Sequence, residues 1–204
     1  MRLVKNLCRI IVGIVFIYSG FVKGIDPLGS DYKFTDYFNA FGMGWMNATT
    51  LFFSFALSLV EFLIGIALLF NLWVSRMAWG SLLFMAFFTP LTLVLALTNP
   101  VSDCGCFGDA MILTNWQTFW KNIILLLLAI MIFMYRKEYK SSLPLVGQFS
   151  FLALAGAGML CLSVYCYRHL PVLDFRPYAV GKNITEGMRL PEGAEPDQDR
   201  KTLV

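Results

Sequence analysis

Five long apolar blocks constrain this chain more than any other feature of its sequence. They cover residues 4–22, 49–70, 77–97, 117–135 and 147–168. A helix needs about 20 mostly apolar residues to cross the hydrocarbon core of a bilayer, and continuous apolar runs do not fit the alternating pattern of a membrane β-strand. Because backbone in lipid must satisfy its own hydrogen bonds, each block is predicted to be a transmembrane helix.

The composition agrees with lipid as the solvent. Apolar residues make up 58% of the chain and charged residues only 14%, against about 25% charged in a soluble domain. The net charge of +3 comes from small basic clusters at the edges of the blocks, which argues against nucleic-acid binding. The first block lacks a small-residue cleavage site, so we predict a retained helix and not a signal peptide.

The basic residues also predict the topology. Cytoplasmic loops of membrane proteins carry an excess of Lys and Arg, whereas the loops on one side of this chain hold only Lys23 and Lys33. The N-terminus is therefore predicted to be cytoplasmic and the C-terminus periplasmic, in a bacterial inner membrane. The residues that define the cytoplasmic side are Arg2, Lys5, Arg9, Arg76, Arg136, Lys137 and Lys140.

Residues 1–181 are predicted to form the transmembrane domain. Within it, 32–41 has aromatic residues on one helical face, which predicts a short helix on the membrane surface. Residues 182–204 are acidic and contain two prolines. They are expected to be an exposed linker or the start of a missing extracytoplasmic domain.

The sharpest chemical motif lies in the predicted outer loop between the third and fourth spans. Cys104 and Cys106 are separated by Gly105 alone, which can adopt backbone angles that other residues resist. A disulfide between them would close a very small ring, and strained, exposed disulfides are the ones most easily reduced. An oxidising outer compartment suits this chemistry. We interpret the pair as redox-active; a structural clip or metal ligation with Asp103, Asp109 and His169 are the alternatives.

The other cysteines and one lysine extend this hypothesis. Cys161 and Cys166 fall in the outer half of the fifth span, so four of the five cysteines are expected at one face of the membrane. Lys121, one turn into the fourth span, would either stabilise a thiolate or snorkel to headgroups and pair with Asp109. Cys8, near the cytoplasmic end, is expected to be inert.

Glu61 is an acid in the middle of the second span. Such residues are rare, face the bundle interior and are candidates for function. Glu61 is expected to act as a structural hydrogen-bonding group, to relay a proton or to contact a quinone headgroup. His169, the only histidine, is expected to pack at the interface.

Two sets of motifs resemble known families. Residues 9–13 and 18–23, followed by Asp26 and Pro27, resemble the first-helix signature of DoxX-like membrane proteins, as does Glu61 with Gly65. Residues 103–109 and 116–122 are similar to MauE-type redox-associated membrane proteins. The resemblance covers residues 4–135. It implies a four-helix bundle core, to which this chain adds a fifth span, and a link to periplasmic thiol–disulfide chemistry.

The implied bundle is similar in outline to that of the vitamin K epoxide reductase family, which uses a Cys-x-x-Cys pair next to a quinone. The Cys-x-Cys spacing here departs from that pattern. Our first functional hypothesis is a membrane thiol–disulfide oxidoreductase that exchanges with a periplasmic thioredoxin-like protein, with a quinone as the suggested cofactor. The second is a non-enzymatic membrane subunit or maturation factor. A transporter is disfavoured because no internal repeat or pair of broken helices is seen.

Overall fold

The computed structural model describes residues 2–99, 101, 105–111, 113–141 and 143–173. Within these ranges the chain is helical and contains no strand. Short 3-10 turns span Gly44–Thr49 and Gly108–Ala110. The α-helices are α1 (Arg2–Ile25), α2 (Pro27–Ala40), α3 (Thr50–Leu69), α4 (Val74–Thr98), α5 (Asn115–Met134) and α6 (Leu145–Arg168).

Five of these helices confirm the predicted all-α membrane fold. By length and hydropathy the spans are Leu3–Ile25, Gly44–Leu69, Val74–Thr98, Asn115–Met134 and Leu145–Arg168. The first continues to Ile25, past the predicted end at 22, and the fourth begins at Asn115, ahead of the predicted start at 117. Residues 182–204 lie outside the described ranges, so the predicted domain division stays a prediction.

Helices α1 and α3 form the centre of the bundle. Helices α4 and α5 pack on each other, α5 packs on α1, and α4 packs on α3, which completes a four-helix core. Helix α6 packs on α3 and α1, and in the described part of the chain it does not contact α4 or α5. We call the end that carries the 105–111 loop the loop end, and the end where α1 begins the basic end.

Glycines let α1 and α3 approach backbone to backbone. A Cβ atom on Gly20 would lie 2.6 Å from the nitrogen of Phe62, and one on Gly65 would lie 2.6 Å from the nitrogen of Ile17. A Cβ on Gly13 would lie 3.0 Å from the nitrogen of Leu69. Small residues at these positions therefore set the helix separation. By contrast, a Cβ on Gly158 of α6 would meet nothing within 4 Å.

Helix α2 covers most of the segment predicted to be helical, 32–41, and begins earlier, at Pro27. Its predicted position on the membrane surface stays a prediction. Asp26 caps it by accepting a hydrogen bond from Gly29 N at 3.0 Å, and Pro27 occupies the first turn, where no N–H is required. Ser54 of α3 donates to the carbonyl of Pro27 at 2.8 Å. Helix α2 therefore packs on α3 at the loop end of the bundle.

The α4–α5 loop is held at both of its ends. Asn99 ends α4 in the left-handed conformation at φ 45°. Asn115 donates to the side chain of Asn99 at 2.8 Å and to the carbonyl of Val101 at 2.9 Å. Thr114 and Gln117 form a capping box that starts α5. This explains why α5 begins two residues before its apolar block.

Candidate functional site

A buried ion pair joins the two central helices near the loop end. Lys23 of α1 is 7% exposed and Glu61 of α3 is 5% exposed, and the Lys23 ammonium donates to Oε2 of Glu61. The prediction that Lys23 lies in an outer loop is therefore wrong: α1 continues past it to Ile25. Burying either charge alone is costly, so each makes the position of the other tolerable.

Ser19 connects this ion pair to the 105–111 loop, which we call the cysteine loop. Its Oγ accepts a hydrogen bond from Lys23 at 3.1 Å. The same Oγ lies 2.8 Å from the carbonyl oxygen of Cys106 and 3.2 and 3.3 Å from the two carboxylate oxygens of Glu61. A hydroxyl has one proton to donate, and the carbonyl of Cys106 is its nearest acceptor. The loop is therefore bound to the helix pair through one serine.

The cysteine loop turns on two glycines. Gly105 and Gly108 have φ values of +58° and +53°, the left-handed region that glycine enters without a Cβ clash. Gly108 N donates to the carbonyl of Gly105 at 3.0 Å and closes the turn. The conformational role predicted for Gly105 is thus observed. Asp103 and Cys104, the first half of the predicted motif, lie outside the described residues.

Phe107 anchors the loop in the bundle. It is 8% exposed and makes an edge contact with Tyr18 at a centroid distance of 5.5 Å. The Lys121 ammonium lies 4.2 Å from the centre of the Phe107 ring, the geometry of a cation–π contact. No described carboxylate lies within ion-pair distance of Lys121. The observed neighbour of the Lys121 ammonium is therefore the ring of Phe107, the residue that follows Cys106.

These groups meet at a small cavity of about 70 Å³ that is partly open to the outside. Its charged lining side chains are Lys23, Lys33, Lys121 and Glu61, and Ser19, Cys106 and Asn122 also line it. Much of the remaining wall is apolar and aromatic, and includes Phe16, Phe34, Phe84, Phe88, Leu91 and Leu95. Apolar walls with a few convergent polar groups are the usual form of a small-molecule site.

The structure brings together some of the predicted site residues and leaves others apart. Cys106, Glu61 and Lys121 line the same cavity, whereas no residue of α6 lines it. Cys161 is exposed, and Cys166 is buried at 2% exposure; both are free thiols. Cys8 is a buried free thiol toward the basic end. Cys161 and Cys166 are predicted at the same face of the membrane as the loop pair, and this stays a prediction; neither residue lines this cavity.

His169, directly after α6, has simple surroundings. The ring of His169 stacks on that of Tyr165 at 4.6 Å, and its Nδ1 lies 3.1 Å from the carbonyl of Tyr165. Among the described residues, no three His, Cys, Asp or Glu side chains are grouped as metal ligands would be.

Sequence reasoning missed Ser19 and Lys23. One signal was available: an acid in the middle of a span requires a partner, and Lys23 is the nearest cation to the end of the neighbouring span. Ser19 precedes Lys23 by four residues, so both lie on one face of α1. The missing information was which face of α1 packs on α3, and this depends on Gly13, Gly20 and Gly65.

The fold and the cavity define a class: a multi-pass helical membrane protein with an apolar, aromatic-walled cavity that holds a few charged side chains inside a four-helix core. The chain belongs to the MauE family, since residues 1–135 match the family described as methylamine utilisation protein MauE. This confirms the MauE part of the predicted resemblance; the DoxX-like part stays a prediction. No curated protein and no solved structure matches the chain. The matched residues include every residue that lines the cavity.

Proposed function

We propose that this protein is a membrane-embedded thiol–disulfide oxidoreductase whose reactive pair is Cys104 and Cys106. The observation that carries the proposal is the 2.8 Å hydrogen bond between Ser19 and the carbonyl of Cys106. It ties Cys106 to a buried ion pair and to the cavity. A loop with only a surface role would not need this attachment to charges inside a membrane bundle.

The distribution of charge supports action on the periplasmic side. Basic residues cluster at or near the basic end, and the positive-inside rule assigns that end to the cytoplasm. The cavity and the cysteine loop would then face an oxidising compartment, where disulfides persist. The described basic residues at this end include Lys5, Arg9, Arg76, Arg136, Lys137 and Lys140.

The soluble partner in this proposal is a thioredoxin-like periplasmic protein. A thiolate of one protein attacks a sulfur of the other's disulfide, forms a mixed disulfide and releases the second sulfur as a thiolate. Attack by the remaining thiolate completes the exchange, so that two electrons and two protons pass between the proteins. Lys121 lies against the ring that follows Cys106, and its positive charge would favour the thiolate form of the pair.

The second redox partner in this proposal is a quinone that binds at this cavity. When bound, a quinone supplies a two-electron, two-proton acceptor or donor. Lys121 and Asn122 offer N–H donors in the cavity wall, and Glu61 and Lys23 offer a carboxylate and an ammonium. Phe34, Phe84 and Phe88 offer ring faces for a flat molecule.

Redox titration of the full chain in detergent tests the proposal. Thiols are alkylated at a series of buffered potentials that span the glutathione and thioredoxin couples, and Cys104 and Cys106 are quantified by mass spectrometry. We expect both to change state together with one midpoint. A pair that stays in one state across the series would contradict the proposal.

Two cysteine variants separate the remaining alternatives. Replacing Cys104 and Cys106 by Ser is expected to abolish exchange with a thioredoxin-like protein, whereas a maturation factor that uses the loop as a clip would keep its biological activity. Replacing Cys161 and Cys166 by Ser tests the predicted role of the α6 thiols. Because no residue of α6 lines the cavity, we expect exchange by this variant to match the unmodified protein.

A further inference from the structure

A second cavity lies at the basic end, far from the cysteine loop. It has a volume of about 450 Å³ and is partly open to the outside, between the first turns of α1, the α3–α4 turn and the α5–α6 loop. Each lining residue has a polar side chain: Lys5, Asn6, Arg9, Asn71, Glu138, Tyr139 and Lys140. This fully polar wall contrasts with the wall of the cavity at the loop end, which is mostly apolar.

Positive charge predominates in this cavity. Lys5, Arg9 and Lys140 are cationic, and Glu138 is the one acid in the wall. Glu138 is already paired with Lys5 at 2.6 Å. Among the described residues, no carboxylate lies within ion-pair distance of Arg9 or Lys140. The cavity therefore has two positive charges that no carboxylate of the described residues neutralises.

Arg9 lies in the cavity wall, and not all of its N–H donors have an acceptor among the described residues. It is 9% exposed, and its Nη1 donates to the carbonyls of Leu68 and, at 3.1 Å, of Leu69. Its Nε is buried and has no acceptor among the described residues. A guanidinium has five N–H donors arranged to match phosphate or carboxylate oxygens. The observed contacts with Nη1 leave the rest of that fork unmatched.

The cavity is built from segments that are fixed to one another. Tyr139 donates to the carbonyl of Lys5 at 2.9 Å, and Asn71 donates to the carbonyl of Lys140 at 2.7 Å. Burial raises the pKa of Tyr139 above its usual value, and Arg9 only partly opposes this effect. The phenol therefore keeps its proton, and its hydrogen bond, at neutral pH.

Apolar surface continues directly from the cavity. Leu3, Val4 and Leu7 of α1 are 83%, 50% and 54% exposed in a helix long and apolar enough to span a membrane. A ligand that places an anionic group in the cavity and hydrocarbon chains along this surface would satisfy both regions. Basic pockets between transmembrane helices on the cytoplasmic side are known to bind anionic lipid headgroups.

We propose that this cavity binds the phosphate of an anionic phospholipid from the cytoplasmic leaflet, with Arg9 and Lys140 as its charged contacts. The site is independent of the redox proposal, because it uses none of the residues at the loop end. It would fix the depth of the bundle in the membrane and hold together the two inter-helix connections that form its wall.

Binding is measured with the full chain in nanodiscs by titrating phosphatidylglycerol into phosphatidylcholine and following lipid occupancy by native mass spectrometry. Lys140→Gln removes one cavity charge and keeps the backbone carbonyl that Asn71 uses. Lys137→Gln is the matched control, since Lys137 is an exposed lysine of the same loop that does not line the cavity. Lys5→Gln is a second cavity variant that leaves Arg9 in place.

We expect phosphatidylglycerol to be retained over phosphatidylcholine and Lys140→Gln to weaken this preference about fivefold, the equivalent of about 1 kcal/mol for one basic residue near the membrane surface. Lys137→Gln should leave it unchanged. Equal retention of the two lipids, or equal effects of the Lys137 and Lys140 substitutions, would overturn the proposal. Displacement of the lipid by millimolar inorganic phosphate would assign the cavity to free phosphate instead of a lipid.

Discussion

The two ends of α1 hold a cation inside the bundle in different ways. Arg9 and Lys23 are fourteen residues apart and lie about 40° from each other around the helix, so both face α3. Lys23 is neutralised by the carboxylate of Glu61. Arg9 donates to the last carbonyls of α3, where the helix dipole is negative. The cation at the loop end of α1 thus depends on an acid side chain, and the cation at the basic end depends on backbone carbonyls.

The partner groups at the two ends of α1 can therefore undergo different changes. A side-chain acid can be protonated, replaced or pulled toward another group, so the loop end is suited to chemistry. Backbone carbonyls offer none of these changes, so the basic end is suited to anchoring. The substitutions below test this comparison.

The largest effect is expected at the ion pair. Glu61→Leu leaves a buried ammonium without a counter-charge and should lower the free energy of unfolding by about 3–5 kcal/mol. The double variant Lys23→Met, Glu61→Leu should recover most of this loss, because apolar residues of similar volume replace both charges. The measurement is unfolding of the purified protein in detergent. A double variant no more stable than the single one would show that the pair is not the cause.

Arg9→Gln should lower the free energy of unfolding by about 2–3 kcal/mol, because charge-assisted hydrogen bonds to the end of α3 are lost. The same unfolding assay applies. Here no second side-chain substitution should rescue the protein, since the partners are backbone carbonyls. If replacement of Glu138 restored the stability of the Arg9 variant, Arg9 would depend on an acid side chain, and the two ends of α1 would not differ in this way.

The glycine contacts predict a smaller, graded effect along the same helix pair. Gly20→Ala should destabilise the protein by about 1–3 kcal/mol through overpacking, because its Cβ would lie 2.6 Å from Phe62 N. Gly13→Ala, at 3.0 Å from Leu69 N, should cost less. Gly158→Ala meets nothing within 4 Å and serves as the control, with no loss of stability. Equal losses of stability for Gly13→Ala and Gly20→Ala would mean that the distance between α1 and α3 adjusts freely at both positions.

The smallest effect is expected at Ser19. Ser19→Ala removes a hydrogen bond worth about 1 kcal/mol, so the cysteine loop should open more often and alkylation of reduced Cys106 should become about fivefold faster. Ser58→Ala is the control, because Ser58 is also buried in the bundle but bonds the carbonyl of Phe55 in its own helix. An unchanged alkylation rate would show that Ser19 does not hold the loop.

Much of the fold followed from the sequence because lipid makes the rules strict. A continuous apolar block of the right length has to become a helix, and all five blocks did. The glycine turn at Gly105 was predicted for a similar reason, since few residues can take its backbone angle. Helix ends were less predictable: Thr114 and Gln117 start α5 through a capping box that the apolar pattern does not include.

The candidate site was predicted only in part, because it depends on which helices touch. The motif pointed to Cys106, and the intramembrane acid pointed to Glu61. Pairing Glu61 with Lys23 required the rotation of α1 about its axis, and a lysine at the edge of an apolar block is ordinarily taken as its boundary. Likewise, Cys161 and Cys166 share a predicted depth with the loop, but depth does not determine which side of the bundle α6 occupies.

The position of α6 decides what substitutions in this helix can affect. Among the described residues, α6 packs on α1 and α3 of the spanning helices, and no α6 residue lines the cavity at the loop end. The helix also lies beyond the residues that match the family. Substitutions on its exposed side are therefore expected to leave the shape of that cavity unchanged.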